Sequence, residues 1–495
     1  MSIRRDSLYN LAGSLAPTAV TLFTVPVYLR LIGVDRYGVL VIAWVLLGYF
    51  GVFDLGLGRA TAQRIATLRQ AGPGDRAEAF WTALMLNTAF GVVGGLLLWL
   101  ASRFFFTAYI QVAGHLRLEI LAAVPWFAAA IPVATVSSVL IGALQGRERF
   151  LAINASSMIE SVLFQVLPLA VAWQYGPDLS WLVPAALVGR LAVFVLLFFQ
   201  CYRHVPLNMA PTMSRALVVP LFRYGRWVTV TGIIDPLLTT LDRFLIGSIA
   251  GAKAVAYYTV PYGLAYRVSA LPGSLSNSLF PRLSSESWEE CRRLMDEAIR
   301  AVSVILTPLI VAVILFMEPF LTWWVGPEVA RNGAFVGEII ALGLWFNGLA
   351  NMPYTLLQAQ GRPDLTAKCH LAELIPYCAF LVFALHFWGV AGAALAWTLR
   401  VTADAVLLFW ISGGAPRSYM AHLPAMLFLG LATVAAFAFP LMSVSRWTVG
   451  SVTLFGSLIW AWWAAPDSVK RMVGAGANCH IQLERIKKTN MSNGA

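Results

Sequence analysis

Ten charged residues fall inside, or at the ends of, stretches that are otherwise apolar enough to cross a membrane: Asp54, Glu160, Arg190, Asp235, Asp242, Arg243, Arg267, Glu373, Arg400 and Asp404. A carboxylate at mid-bilayer costs roughly 3 kcal/mol or more, so each must be paired, wet or functional. The stretch TGIIDPLLTTLDRFLIG, Thr231 to Gly247, shows the pattern. Residues four, seven or eleven apart share one face of a helix, and Thr231, Asp235 and Asp242 follow that rule, with Thr239 beside them. Pro236 cannot donate a backbone hydrogen bond, which frees the carbonyl of Gly232, as in the broken helices of transporters.

Each charge suggests a chemistry. Arginine forks match phosphate oxygens, and Arg190 and Arg267, like Asp235, have no partner in their own helix. Arg400 and Asp404, four apart, are expected to neutralise each other. Asp242 and Arg243, near the outer end of their span, are expected to reach water. Carboxylates at depth suit proton-linked switching, with Asp235, Glu160 and Glu373 as the candidates and Asp242 as a further one. Polar stripes accompany them: Asn10, Ser14, Thr18 and Thr21 around Pro17; Asn154, Ser157, Ser161 and Gln165; and Asn347, Asn351, Tyr354 and Gln358, expected to be broken by Pro353. A single hydroxyl more often glues helices together, at about 0.6 kcal/mol per hydrogen bond. Stripes on several helices, together with unpaired charges, predict faces that converge on a wet cavity.

Other chemistries find no support. His370 and Glu373 share a helical face, but no second such pair exists to complete a metal site. FDLGLGRA, Phe53 to Ala60, contains Gly-x-Gly yet follows an apolar span and opens no βαβ unit, so no dinucleotide fingerprint is present. There is no Ser/His/Asp arrangement and no Walker A loop. An ATP-driven pump is therefore disfavoured, and a proton or sodium gradient, or downhill consumption of the substrate, would have to supply the driving force.

The elements that position these residues follow from composition. Of 495 residues 59% are hydrophobic and 12% charged, and the mean hydropathy is +0.73; soluble domains carry roughly 25% charge. Apolar runs predict fourteen membrane spans, at about 8–32, 38–58, 80–102, 118–142, 151–174, 180–200, 226–249, 255–280, 299–322, 334–358, 366–387, 390–411, 421–441 and 448–464. The first run lacks a small-residue cleavage site and reads as a retained span. With the N-terminus inside, 24 of the 35 Lys and Arg fall on the inner side, 7 on the outer side and 4 within spans. That asymmetry places both termini in the cytoplasm. The basic excess thus sets topology and meets anionic lipid, and no nucleic-acid partner is expected. Five cysteines, Cys201, Cys291, Cys369, Cys378 and Cys479, lack metal-ligand spacing and are expected to be unpaired. Loops are short on both sides, which favours movement across the bilayer over chemistry on a soluble substrate.

The sequence also repeats. LIGALQGRERF follows the fourth span and TLLQAQGRPDL the tenth, so that Gly146 and Gly361 are 215 residues apart. Pro17 and Pro236 are 219 apart, and Glu160 and Glu373 are 213 apart. The expected organisation is an all-α membrane protein with two six-helix bundles, 1–205 and 206–412, related by an axis along the membrane normal. Two extra spans at 413–465 and a basic tail at 466–495 complete it.

The segments SLYNLAGSLAPTAVTLFTVPVYLRLIGVDRYGVL, FDLGLGRA, LQGRERF and LDRFLIGSIAGAKAVAYYTVPYGLAYRVSALPGSLSNSLFPRLS resemble bacterial polysaccharide flippases, the O-antigen and exopolysaccharide branch of the multidrug/oligosaccharidyl-lipid/polysaccharide (MOP) superfamily. The resemblance spans about residues 7 to 410. It implies two bundles in a V around a cavity in the bacterial inner membrane. The implied activity, which is not enzymatic, is transfer of undecaprenyl-diphosphate-linked oligosaccharide between leaflets by alternating access, often ion-coupled. Other polysaccharide-assembly membrane proteins are the implied partners. Arg190, Arg267 and Arg400 are then candidates for the headgroup, with Arg59 near the cytoplasmic entrance. Of the ten charged residues singled out above, six are acidic and four basic. That balance keeps a cation-exporting multidrug transporter of the same superfamily in view, together with a lipid II flippase and, more distantly, a membrane glycosyltransferase, polymerase or ligase.

Overall fold

A computed structural model describes residues 3–48, 53–68, 72–109, 112, 114–205, 213–218, 238–413, 422–467 and 470 of the chain. Every regular element among them is helical. In chain order these are α1 (Ile3–Gly48), α2 (Leu57–Thr67), α3 (Pro73–Ala108), α4 (Gly114–Gly146), α5 (Phe150–Tyr175), α6 (Leu179–His204) and α7 (Ala252–Tyr266). After a 3-10 turn (Arg267–Ser269) come α8 (Ala270–Leu283), α9 (Trp288–Val325), α10 (Pro327–Ala359), α11 (Pro363–Ile411), α12 (Leu423–Ala438) and α13 (Val444–Ala464). The described part of the seventh expected span, residues 238–249, is also helical. Eight helices among the described residues are long and apolar enough to cross a membrane, and they account for ten of the expected spans, because α1 and α11 each contain two.

In those double helices the chain turns where the expected boundaries lie, but without the expected loops. No loop separates 8–32 from 38–58 or 366–387 from 390–411; a single glycine turns the chain in each case. Gly33 sits at φ 79° and Gly389 at φ 55°, ψ −139°, regions open to glycine at no steric cost. A straight helix of 49 residues would reach about 74 Å, far beyond the roughly 30 Å hydrocarbon layer. The ring of Tyr377 lies 5.6 Å from the Arg400 guanidinium, so the two arms of α11 fold back side by side. A correction concerns Pro353: α10 runs unbroken from Pro327 to Ala359. The opposite holds for span 255–280, which is divided into α7, the 3-10 turn and α8.

The chain divides into two compact units, 1–260 with 385–393, and 261–384 with 394–495. In the first, α4 packs against α3, α2 and α6, and α5 against α6 and α1. The glycines of FDLGLGRA and LQGRERF serve this packing: a methyl at Gly142 would overlap the backbone of Gly58, and one at Gly146 would lie 2.7 Å from the carbonyl of Ala62. Around that seam Leu57, Ile65, Phe80, Leu140 and Leu144 form a buried core. In the second unit α9 packs against α10, α12 and α13, so the two extra C-terminal spans are part of that unit rather than appendages.

One pair of helices and the turns after them share a common displacement, in a register the Gln-Gly-Arg match did not give. Helices α4 and α10 are both 33 residues long, with starts at 114 and 327 and ends at 146 and 359, a displacement of 213 at each end. The turns after them match bond for bond. Arg149 N donates to Leu144 O at 3.0 Å and Arg362 N to Leu357 O at 2.9 Å; Glu148 N donates to Gln145 O at 2.9 Å and Gly361 N to Gln358 O at 3.1 Å. The left-handed residue is Glu148 (φ 57°) in one copy and Gly361 (φ 72°) in the other. Gly146, by contrast, ends a helix. The turn, not the glycine, sets the register.

Candidate functional site

At the displacement of 213, Glu160 on α5 corresponds to Glu373 on α11, and the structure gives each an arginine from the next helical segment. Arg190 Nε on α6 lies 3.3 Å from Glu160 Oε1, and Arg400 Nη1 lies 3.9 Å from Glu373 Oε2. Glu160 and Arg190 share one unit; Glu373 and Arg400 share the other. A Glu–Arg pair thus occurs in each unit, with its glutamate at the common displacement. The arginines are not in register: Arg190 displaced by 213 falls on Ala403, and Arg400 lies three residues before it, just under one helical turn.

The second pair sits in a denser cluster. His370 Nε2 is 3.6 Å from Asp404 Oδ1, and the His370 ring stacks on Tyr354 at 6.2 Å. The i,i+4 spacing of Arg400 and Asp404 suggested mutual neutralisation. In the structure Arg400 faces Glu373 and Tyr377, while Asp404 faces His370. An anion reaching Arg400 would therefore compete with one carboxylate, with a second one close by.

The other predicted residues fall as follows. Arg59 is exposed on the first turn of α2, and Arg267 is exposed in the 3-10 turn. Asp242 does not reach water: it is fully buried, accepting hydrogen bonds from Tyr258 Oη at 2.6 Å and from Arg243 Nη1 at 3.0 Å, and Arg243 is itself buried. Asn347 and Asn351 are half-buried on α10, where Asn351 Nδ2 donates to Asn347 O at 2.9 Å. In the other stripe Ser161 Oγ donates to Ser157 O, while Gln165 O accepts from Tyr28 Oη at 2.6 Å. Asn10 and Ser14 lie on α1 at positions whose side chains are not described, and Thr231, Asp235 and Pro236 lie outside the described residues. Cys201, Cys291, Cys369 and Cys378 are free thiols, and no group of His, Cys, Asp and Glu able to hold a metal ion occurs among the described residues.

Two buried polar centres had escaped the sequence reading. Arg446 on α13 is 3% exposed; its Nη1 lies 2.8 Å from Glu318 Oε2 on α9 and its Nη2 3.9 Å from Glu338 Oε1 on α10. Both glutamates fall inside expected spans, so the search that found Glu160 could have found them. In the other unit Asn87 Nδ2 on α3 donates to Asp54 Oδ1 and to Thr135 O on α4, both at 2.7 Å. Asp54, read as an intramembrane charge, is thus held in a helix junction.

Residues 27–328 match the family model described as polysaccharide biosynthesis protein. The chain belongs to that family. Among its relatives is a Shigella flexneri protein named as an O-antigen transporter, 30% identical over 83% of this chain and 98% of that one. A Haloferax volcanii protein named as the flippase AglR is 22% identical over 76% of each chain. Among solved structures, the lipid II flippase MurJ in an inward closed conformation shares the fold at a TM-score of 0.70 and 13% identity, over 91% of this chain and 97% of that one. An inward-facing multidrug resistance MATE transporter of the MOP superfamily does so at 0.68 and 14% identity, over 85% and 96%. At such identities the likeness concerns the fold. This member of the polysaccharide biosynthesis family is therefore an all-helical, multi-pass membrane protein with the MOP-superfamily architecture.

Proposed function

We propose that the chain moves undecaprenyl-diphosphate-linked oligosaccharide from the cytoplasmic to the outer leaflet of the bacterial inner membrane. The reading is supported above all by the recurrence of one Glu–Arg pair in both halves of the chain, Glu160–Arg190 and Glu373–Arg400. A diphosphate-sugar head is polyanionic, and crossing the hydrocarbon without replacement of its water would be prohibitive. A guanidinium already held at depth can donate to a phosphate oxygen, so that one anionic partner replaces another. The lipid tail stays among acyl chains throughout. No covalent bond is made or broken, so the activity is transport rather than catalysis. Names borne by relatives, an O-antigen transporter and a flippase, agree with it.

Alternating access would present Arg190 and Arg400, with Arg267 and the entrance residue Arg59, to one side at a time. Protons would act through Glu160 and Glu373, together with Asp235: a protonated glutamate releases its arginine to the phosphate, and an ionised one reclaims it. In this scheme the chain is organised as two six-helix repeats, 1–205 and 206–412, with 413–465 and a tail at 466–495, both termini facing the cytoplasm. Other membrane proteins of polysaccharide assembly would receive the transferred unit. A cation-exporting reading draws on the two carboxylates, Glu373 and Asp404, gathered beside Arg400 and His370.

Purified protein in vesicles loaded with lipid-linked oligosaccharide, assayed leaflet by leaflet, tests the proposal. Transfer that requires the protein supports it. Absence of transfer, with a cationic drug moved instead, would replace it by the multidrug reading.

A further inference from the structure

The middle of the eighth expected span, 255–280, coincides with its break. Helix α7 ends at Tyr266, Arg267–Ser269 form a 3-10 turn, and α8 begins at Ala270. A 3-10 stretch in mid-helix often marks a functional joint, and broken helices in membranes are tolerated where they line a water-filled cavity or are buried in protein. Arg267 is exposed here. About thirteen residues, roughly 20 Å of helix, separate it from either end of the span, too far for an arginine side chain to snorkel to the interface. At the depth the expected span gives it, an exposed guanidinium costs far less facing water than facing acyl chains.

Beside it stands an ordered set of rings. Tyr266 is 48% exposed and stacks on Tyr262 with centroids 5.5 Å apart and planes at 13°. Tyr262 is buried, and Trp397, also buried, meets it edge-on at 5.5 Å and 80°. The inner two rings brace the outer one, which stays half exposed, and Arg267 is the next residue in the chain. Ser269 Oγ, one turn on, is buried without a hydrogen-bond partner. An open aromatic face suits the C–H-lined face of a pyranose ring, and a cation beside it suits the phosphate to which that sugar is attached. An acyl chain would have no use for the charge, and a free phosphate none for the ring.

We infer that Tyr266, braced by Tyr262 and Trp397, is the platform for the first sugar of the substrate, with Arg267 at the adjoining phosphate. This rests on the flippase reading and adds a saccharide subsite to it. The test compares two probes in the leaflet-resolved vesicle assay: undecaprenyl diphosphate bearing one N-acetylglucosamine, and undecaprenyl diphosphate alone. Tyr266→Ala should slow transfer of the glycosylated lipid about tenfold relative to the bare one, the equivalent of about 1.4 kcal/mol. Tyr266→Phe and Tyr266→Trp, which keep the ring, should transfer both as the parent does. Arg267→Ala should slow both probes alike. Equal effects of Tyr266→Ala on the two probes, or none on either, would overturn the platform while leaving the flippase reading intact. A parent protein that moves neither probe would remove both.

Discussion

Replacing Arg446 by Ala should loosen the C-terminal hairpin α12–α13 from its unit. Arg446 carries the only positive charge within 4 Å of Glu338 among the described residues, and both side chains are almost wholly buried. At an effective dielectric constant of 20, the 2.8 Å contact with Glu318 has a gross attraction of about 6 kcal/mol, much of it offset by desolvation. What the substitution leaves behind is the larger effect: a buried carboxylate stripped of its partner costs about 3–5 kcal/mol, or two to three and a half decades in an equilibrium constant. Ser457, fully buried on α13, supplies the reporter. As Ser457→Cys in a background freed of native cysteines, it should react with a thiol reagent only when the hairpin opens. Arg446→Ala should speed that reaction at least a hundredfold. Arg446→Met with Glu338→Met, which removes both buried charges, should bring it back to within tenfold of the parent. Glu318→Gln should matter less than Arg446→Ala, because Glu318 is more exposed and its loss leaves Arg446 facing Glu338. Labelling of Arg446→Ala within threefold of the parent would refute this account of the contact.

The remaining predictions are simpler. Arg190→Ala and Arg400→Ala should each insert normally yet lose at least tenfold in leaflet transfer, as read by vesicle assay and by membrane fractionation. Glu160→Gln combined with Glu373→Gln should flatten any response of transfer to an imposed proton gradient, measured in vesicles with and without an uncoupler. Tyr258→Phe should destabilise the first unit by about 1.5–3 kcal/mol through loss of a hydrogen bond to the buried Asp242 carboxylate, visible as a lower unfolding midpoint in mixed micelles. Gly389→Ala should cost about 1–3 kcal/mol by forcing a side chain into a glycine conformation and should lower the yield of folded protein.

Most spans were legible because the need for some 20 apolar residues per crossing leaves long, unmistakable runs; the breaks near Gly33 and Gly389 were legible as boundaries between spans, but not that a single glycine, without a loop, turns the chain there. The intramembrane charges were legible one at a time. Their pairing was not: Arg190 and Glu160 are 30 residues apart on different helices, and sequence carries no distance between helices. Where local spacing did offer a partner, for Arg400 and Asp404, it misled, because the folded-back arm of α11 brings Glu373 to that arginine instead. The Gln-Gly-Arg match failed by two residues for a related reason. The hydrogen bonds closing the turn choose the left-handed position, and in the first copy Glu148 occupies it without help from glycine.

Two halves alike at every residue could be exchanged without consequence. Here the glutamates have kept their common rung while the arginines have drifted to different ones, Arg190 and Arg400 standing just under a turn out of step. Exchanging the halves would therefore build a different protein, because the two arginines nearest the proposed cargo stand at unequal stations.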